Sequence, residues 1–520
     1  MITRKLLVRD DEFEKFDITE DQFGPVMLSR LGKGLYKNPL HCIREYIQNS
    51  VDGISKFNRE YPEEEIDRIV RIQAEGDTII FHDNGIGMNQ EDILTAISFG
   101  VSRKDRKYDV GFLGIGIFSG ASIADRLRIY TSKINEAKAL VFEIDFKYIE
   151  EKYKEYTSGL KLLKDATQFQ ELDEDKNKHY CESTLYVNEE YKRFLKDDSG
   201  IRRYISNVCP VDFQNDFEHR EDVFNFFEKY GIENQVFDIR LNKIPVYRPF
   251  PTGVKKPVFK EVIHKGQRLA RLWYCENKEK SFIQGKDKEN EDDIRCITYR
   301  WWNFLIDDPE RRDYAARELF GRRADLMKNY FGDIHIFALE DIEPDLERTG
   351  FRYTDTYKQL KNALKDKNNP GEIQSLFREA FTGSKINITM KEVEKGNEII
   401  NEIEKATPPK DLEEAFKRKF KIEEQAKKII KRTKGIEKKL TTPEKQKVEK
   451  TKIQLENKKK EIEKHIDELQ TDKAKPKVIR FNPNIDIKFG KVLIVLKKHL
   501  ENHPTLYNAI IKDLESLVRG

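Results

Sequence analysis

Ile43-Arg44-Glu45-Tyr46-Ile47-Gln48-Asn49-Ser50-Val51-Asp52-Gly53-Ile54 carries two patterns at once. Ile43, Ile47, Val51 and Ile54 recur at helical spacing, which predicts a helix with one face in a core. Glu45, Asn49 and Asp52, at i, i+4 and i+7, fall on another face of the same helix, roughly one above another. A carboxylate, an amide and a second carboxylate in one column of a half-buried helix are costly unless something binds them. A solvated polar face would account for the column by itself. The next ninety residues decide between the two readings.

Downstream, Arg68 to Gln73 and Asp77 to His82 read as a hairpin turned at Glu75-Gly76-Asp77. Its second strand runs into Asp83-Asn84-Gly85-Ile86-Gly87-Met88, where two glycines after an apolar strand permit positive φ and close approach of a ligand. Taken alone, an Asp-x-Gly-x-Gly is a tight turn. A short helical stretch (90–97) and a polar segment, Ser98 to Lys107, lead to Gly111-Phe112-Leu113-Gly114-Ile115-Gly116-Ile117-Phe118-Ser119-Gly120. Backbone N–H groups of such a stretch, opening an apolar helix, suit phosphates. It does not follow a strand directly and has no Gly-x-Lys-Ser/Thr, so it is neither a dinucleotide fingerprint nor a P-loop. Further strands are expected at 126–131, 139–146 and 183–187, the last containing Thr184, with a charged insertion near 150–180.

From about 200 to 380, strands and helices mix: 238–242 with 243–247 as a hairpin, then 268–275, 294–302 and 334–337. Trp301 and Trp302 read as packing residues. From 385 to 475 the chain is dense in Lys and Glu, with almost no Gly or aromatic residues. Thr442 is the expected N-cap, with Pro443 at the first helical position. Val448, Leu455, Ile462 and Leu469 repeat every seven residues, a narrow seam for a helical hairpin or partner coiled coil. Residues 410 to 480 hold 24 Lys and Arg against 14 Asp and Glu. That excess suits a solvated face or an acidic partner, without the aromatic interleaving that base stacking needs. The last forty residues pattern as a strand (491–495) and amphipathic helices, a candidate dimerisation module.

The composition limits the class. A chain of 520 residues, 36% charged and 38% hydrophobic, with mean hydropathy −0.74, has room for two to four domains and a large wet surface. A net charge of +3 by itself calls for neither nucleic acid nor membrane. No apolar run approaches the roughly 20 residues of a bilayer span, and the Met1 to Lys5 start has no signal-peptide core. Five scattered cysteines form no C-x-x-C pair and no metal spacing. The expectation is a cytoplasmic protein with reduced thiols and no membrane partner.

In this order, Glu-x-x-x-Asn on a helix, Asp-x-Gly-x-Gly after a strand and Gly-x-x-Gly-x-Gly after a lid-like loop resemble the GHKL ATPases. That superfamily includes gyrase, heat-shock protein 90, histidine kinases and MutL. Tyr36-Lys37-Asn38, the 43–52 stretch, 83–88 and 111–119 with Ala124-Asp125 are most similar to the heat-shock protein 90 chaperones, including bacterial high-temperature protein G, over about residues 12 to 210.

The resemblance implies an α+β protein. A Bergerat-type α/β sandwich ATP-binding domain would occupy 1–198 and a mixed α/β middle or transducer domain 199–383. A charged helical hairpin or coiled coil (384–476) and a small terminal module (477–520) would follow. It further implies ATP and Mg²⁺ as ligands. Asp83 would accept from the adenine amine, helped by Thr184, with Gly85, Gly87 and Met88 against the base. Asn49 would bind Mg²⁺ together with phosphates and waters, with Asp52 beside it. Glu45 would be the general base, paired with Arg44. Gly111, Leu113, Gly114, Ile115, Gly116 and Ile117 would form the phosphate turn, and Ser98 to Val110 a lid bringing Ser102 and Lys104 to the nucleotide. Ser183 stands where the family usually has glycine.

Asp341 to Arg348 resembles the chaperones' middle-domain loop, in which an arginine reaches the γ-phosphate. Arg348 takes that role by resemblance, with Arg352 a helical turn on in support. Past residue 380 the likeness stops, and no counterpart of the chaperones' C-terminal dimerisation domain is recognisable. The implied function is an ATPase clamp, closing as a homodimer to hold or remodel a protein client. The alternative is a MutL- or MORC-like ATP-gated nucleic-acid clamp in DNA repair or anti-phage defence.

Overall fold

In the computed structural model the residues described are 24–33, 38–98, 109–110, 116–230, 236–279, 282, 284–285, 294–471 and 510, apart from single positions 65, 197, 310, 338 and 340. The strand expectation at 491–495, residues 99–108 of the lid with Ser102 and Lys104, and Gly111, Leu113, Gly114 and Ile115 lie outside them. The chain divides into two compact units, Met1–Ser384 and Lys385–Gly520. Among the described residues no helix is long and apolar enough to cross a membrane.

The apolar face of the 43–54 stretch is buried because it lies on a sheet. After α1 (Pro25–Lys33), helix α2 spans His41–Glu60, and Ile43, Ile47, Val51 and Ile54 are all in the core. The expected hairpin is β1 (Ile69–Glu75) with β2 (Thr78–Asp83), turned at Gly76 with φ +64°. Helix α3 (Gln90–Ala96) begins with a capping box in which Asn89 and Asp92 exchange bonds. Strands β3 (Ala124–Ser132) and β4 (Lys138–Asp145) follow. The charged insertion forms α4 (Phe146–Lys152), α5 (Gly159–Asp165) and β5 (Thr167–Asp173), and β6 (Tyr180–Val187) returns to the sheet.

Helices α6 (Arg193–Lys196), α7 (Ser199–Val208) and α8 (Arg220–Tyr230) lead to β7 (Asp238–Leu241) and β8 (Ile244–Pro245). This hairpin, placed by its sequence position in the middle domain, belongs to the first sheet instead. Ile239 pairs with Val70 in parallel, and the strand order is β5-β4-β3-β6-β2-β1-β7-β8. Hydrophobic alternation specifies a strand but not its neighbour, and β1 offered an unpaired edge.

The second sheet of this unit has the order β10-β11-β15-β13-β14. Its strands are β10 (Val258–His264), β11 (Gln267–Glu276), β13 (Cys296–Trp301), β14 (Phe304–Leu305) and β15 (Tyr330–Ile336), while β9 (Pro251–Thr252) pairs with β12 (Gln284–Gly285). Helices α9 (Tyr314–Phe320) and α10 (Asp355–Lys365) complete it. A single hydrophobic cluster runs from α2 through both sheets to Leu360 and Leu364.

The second unit is a bundle of three helices rather than a two-helix hairpin: the later part of α11 (Gln374–Lys405), α12 (Leu412–Thr433) and α13 (Thr442–Thr471). Val448, Leu455 and Ile462 meet a second heptad, Ala415, Ile422 and Ile429, and also Val393 and Ile400. The third helix can pack closely because residue 396 is glycine; a Cβ there would lie 2.9 Å from Thr451 Cγ2. The α13 cap is Thr441, one residue earlier than expected, since Thr441 and Glu444 exchange bonds.

Candidate nucleotide-binding site

Twelve residues of α2, from His41 to Asp52, are buried on every side except at Asn49. Below lies the sheet, where Tyr46 stacks on Phe81 with centroids 5.1 Å apart. Above lies the 3₁₀ turn Gly116–Ser122, held by a 2.7 Å bond from Tyr46 Oη to the Ile117 carbonyl. The column from the sequence is therefore covered by backbone. Glu45 is 7% exposed and Asp52 5%, while the Asn49 amide stays accessible. Gly116 is the close approach: a Cβ there would sit 3.0 Å from Glu45 Oε2 and 3.7 Å from Asn49 Nδ2. Asp52 accepts from the Val110 N–H at 2.7 Å, which ties the end of the 98–110 segment to the column.

At the other end of the site, Asp83 closes β2 with 3% exposure. Burial pushes its carboxyl up to about 7, against a Ser50 hydroxyl bond and the Gly85 N–H, which favour the anion. The residue opposite Asp83 on β6 is Cys181, which also pairs with Thr131 of β3. Thr184 is not in this group. It lies in the row of Ile80 and Arg128, on the opposite face of the sheet, and cannot help Asp83 hold a base. Strand side chains alternate, so the buried Leu185 and Val187 already direct residues 181 and 183 inward and 184 outward. Ser50, Thr131 and Cys181 are the polar neighbours that sequence reading missed. Of the five cysteines Cys181 alone is not fully buried.

The glycines of the 83–88 loop have a packing cause that the sequence did not show. A Cβ on Gly85 would lie 2.4 Å from the Gly53 carbonyl carbon, and one on Gly87, at φ +71°, 1.8 Å from the Ser132 oxygen. Close packing of the loop on α2 and β3 demands them by itself. Met88 is fastened by its N–H to Thr131 Oγ1 at 2.9 Å.

Arg348 comes to the same helix from the second sheet's side of the unit. Its loop is a closed turn: Pro344 bridges Phe351, and the Asp345 carboxylate accepts from both the N–H and the hydroxyl of Thr349. This holds Arg348 at φ +57° with the side chain 2% exposed and Nη2 3.5 Å from the Val110 carbonyl. Arg352 does not sit one helical turn on. The turn sends it outward to Glu343 at 2.9 Å.

Arg44 is buried, with its guanidinium 5.7 Å from the Phe304 ring centroid. Burial lowers its pKa, and the neighbouring Arg348 lowers it further while Tyr204 and Glu45 oppose. Among the described residues, Arg44 Nε and Nη2 and both amide atoms of Gln48 make no hydrogen bond.

These features fit a polyphosphate. Two buried guanidiniums side by side, with donors on Arg44 and Gln48 unmet, favour an added anion. Gly116 leaves a cradle beside Glu45, and Asn49, the exposed residue of the column, suits a cation that keeps most of its waters. Among the described residues no cluster of three or more His, Cys, Asp or Glu side chains could hold a metal without such a partner.

Residues 37–178 match the model of the histidine kinase-, DNA gyrase B-, and HSP90-like ATPases. This segment belongs to that family. Similar curated proteins are chaperone proteins HtpG. Those of Rickettsia prowazekii (28% identical over 201 residues, 33% of this chain and 31% of the relative) and Rickettsia canadensis (29% over 203 residues, 33% and 31%) are two of them. That of Halorhodospira halophila is 30% identical over 135 residues, 22% of this chain and 21% of the relative. The chain thus spans at most about a third of the length of these relatives. The site described above, apart from Cys181 and Arg348, lies within the segment matched to the ATPase family.

Proposed function

We propose that this protein binds ATP and hydrolyses it, using the cycle to change shape around a protein client in the manner of the HSP90-like chaperones. The observation that carries the reading is the meeting of the Glu45–Asn49–Asp52 column, the Gly116 turn and Arg348 at one helix. Asp83 receives the adenine amine, supported by Ser50 and flanked by Cys181. Asn49 would hold Mg²⁺, which would supply positive charge against the phosphates. Glu45 orients the attacking water and takes its proton as oxygen bonds to the γ-phosphorus and the bond to the β-phosphate oxygen breaks. Arg348, with Arg44, stabilises the negative charge spread over the transferring group.

Arg348 belongs to a loop outside the matched ATPase segment. Its registration with the site would therefore report nucleotide state to the second sheet and its helices, the coupling a clamp requires. We propose a homodimer as the working form, because a single arm closes on nothing.

Phosphate release by the purified full chain tests this, with nucleotide binding and sedimentation followed in parallel. Glu45→Ala should lower turnover about 10²- to 10⁴-fold and leave ATP binding in place, and a nonhydrolysable analogue should shift wild type to a dimer. Turnover at the wild-type rate in Glu45→Ala overturns the catalytic assignment. A monomer with the analogue overturns the clamp.

A further inference from the structure

The three-helix bundle has two ends that differ in how their charges are met. At one end, cations and acids pair across helices and knit all three together. Lys421 meets Glu402, Lys419 meets Glu463, Lys459 meets Glu423 and Lys458 meets Glu404. At the other end, the last two turns of α12, the connecting turn and the first turns of α13 are a different surface. Residues 427 to 450 hold ten Lys and Arg against three Glu, and all ten cations are exposed. Among the described residues, Lys427, Lys431, Arg432, Lys434, Lys438, Lys445, Lys447 and Lys450 enter no ion pair.

Helix electrostatics account for only half of this concentration. Cations at the C-terminal end of α12 answer its dipole, but Lys445, Lys447 and Lys450 stand in the first turns of α13, where the helix end is already positive. Lys427 with Lys431, and Lys428 with Arg432, are like-charged i, i+4 neighbours that oppose helix formation. At about 1.5 Å of rise per residue the two helix ends contribute about 10–12 Å each, so the cations lie within about one Debye length at 0.1 M salt. They act on a partner as a single field.

We propose that this end of the bundle binds the phosphate backbone of double-stranded nucleic acid without reading its sequence. The partner class follows from the side chains. Nine of the ten cations are lysines, point charges suited to phosphates, and i, i+4 pairs place them about 5–6 Å apart. No aromatic residue stands between 427 and 450 to stack on an unpaired base. A membrane surface would favour an apolar anchor among the charges, and the patch exposes one large apolar side chain, Ile430. The proposal is independent of the ATPase reading and survives if that reading fails.

Fluorescence anisotropy of a labelled 30-base-pair duplex, titrated with the full chain at 50 and 200 mM salt, tests it. Wild type should bind at the lower salt and weaken steeply at the higher. The exposed charge reversals Lys427→Glu, Lys431→Glu, Lys434→Glu and Lys438→Glu together should weaken binding by about tenfold or more. The control is the same change in net charge at the paired end: Lys410→Glu, Lys417→Glu, Lys460→Glu and Lys464→Glu, with helicity and melting checked for both. Equal losses in the two variants would reduce the effect to net charge and overturn the site. So would no duplex binding at 50 mM salt, or binding through the 427–438 lysines to phosphatidylserine vesicles but not to duplex.

Discussion

Two clusters of buried arginines in the first unit make opposite use of the same side chain. Around β15, Asp333 accepts from Arg248 at 2.6 and 2.8 Å, from Thr298 at 2.9 Å and from Arg300 at 3.3 Å. Arg300 gives its remaining donors to the carbonyls of Asn303 and Asn207. Burial alone would raise the Asp333 carboxyl; the two guanidiniums overcome it and hold it well below the usual carboxylate range. Around α2, by contrast, Arg44 lies beside Arg348, with donors on Arg44 and the whole amide of Gln48 unmet. In the first cluster Asp333 answers both guanidiniums and leaves unmet Arg248 Nε and the nearby His335 ring, so both guanidiniums meet their anion within the protein and it reads as structure. The second is complete only with something added, which is what a site is.

Breaking the complete cluster should cost most. Asp333→Asn leaves two buried guanidiniums without their anion and should destabilise the first unit by about 3–5 kcal/mol in urea unfolding. A loss below 1 kcal/mol would mean that the cluster is not what holds the second sheet.

The next effect belongs to Asp83. Its folded pKa of about 7 lies above the ordinary 3.8. Its contribution to stability is therefore fully present below about pH 4 and is lost as pH rises through 7. Base binding runs the other way, because the anion accepts from an adenine amine much more strongly than the protonated acid does. Adenosine, which carries no phosphate to titrate, should bind up to about tenfold more tightly at pH 8 than at pH 6. In Asp83→Asn the profile should be flat, and a flat profile in wild type would remove Asp83 from the base pocket.

The smallest effect sharpens the comparison most. Gln48→Leu removes a buried amide whose two polar atoms are unmet, and should stabilise the nucleotide-free protein by about 1 kcal/mol. The additional stabilisation given by ATP should shrink in the same variant. Destabilisation on the scale of Asp333→Asn would show that Gln48 is structural and that the α2 cluster is not waiting for a ligand.

Much of this site was legible in one strand–helix reading. The column at 45, 49 and 52 follows from helical period, the Asp83 turn from its glycines, and the order of the three motifs from resemblance. The Thr184 assignment failed on strand parity, which the buried Leu185 and Val187 could have supplied. Cys181 and Thr131 needed the register of β2, β6 and β3, because partners across a sheet lie far apart in the chain, as Asp83 and Cys181 do; Ser50 needed the packing of α2 on that sheet. The assignment of β7 to the first sheet depended on pairing in the same way.

Local chemistry, then, was settled by the chain of residues itself: period decides which faces of a helix are apolar and which carry chemistry. Which side chains from distant segments share a pocket was decided only by the tertiary structure. Arg348 lies some three hundred residues from Arg44 and reaches the same helix through a turn held at positive φ. Neither its reach nor the missing partners of Gln48 is encoded in any short window, since both depend on what the folded backbone excludes.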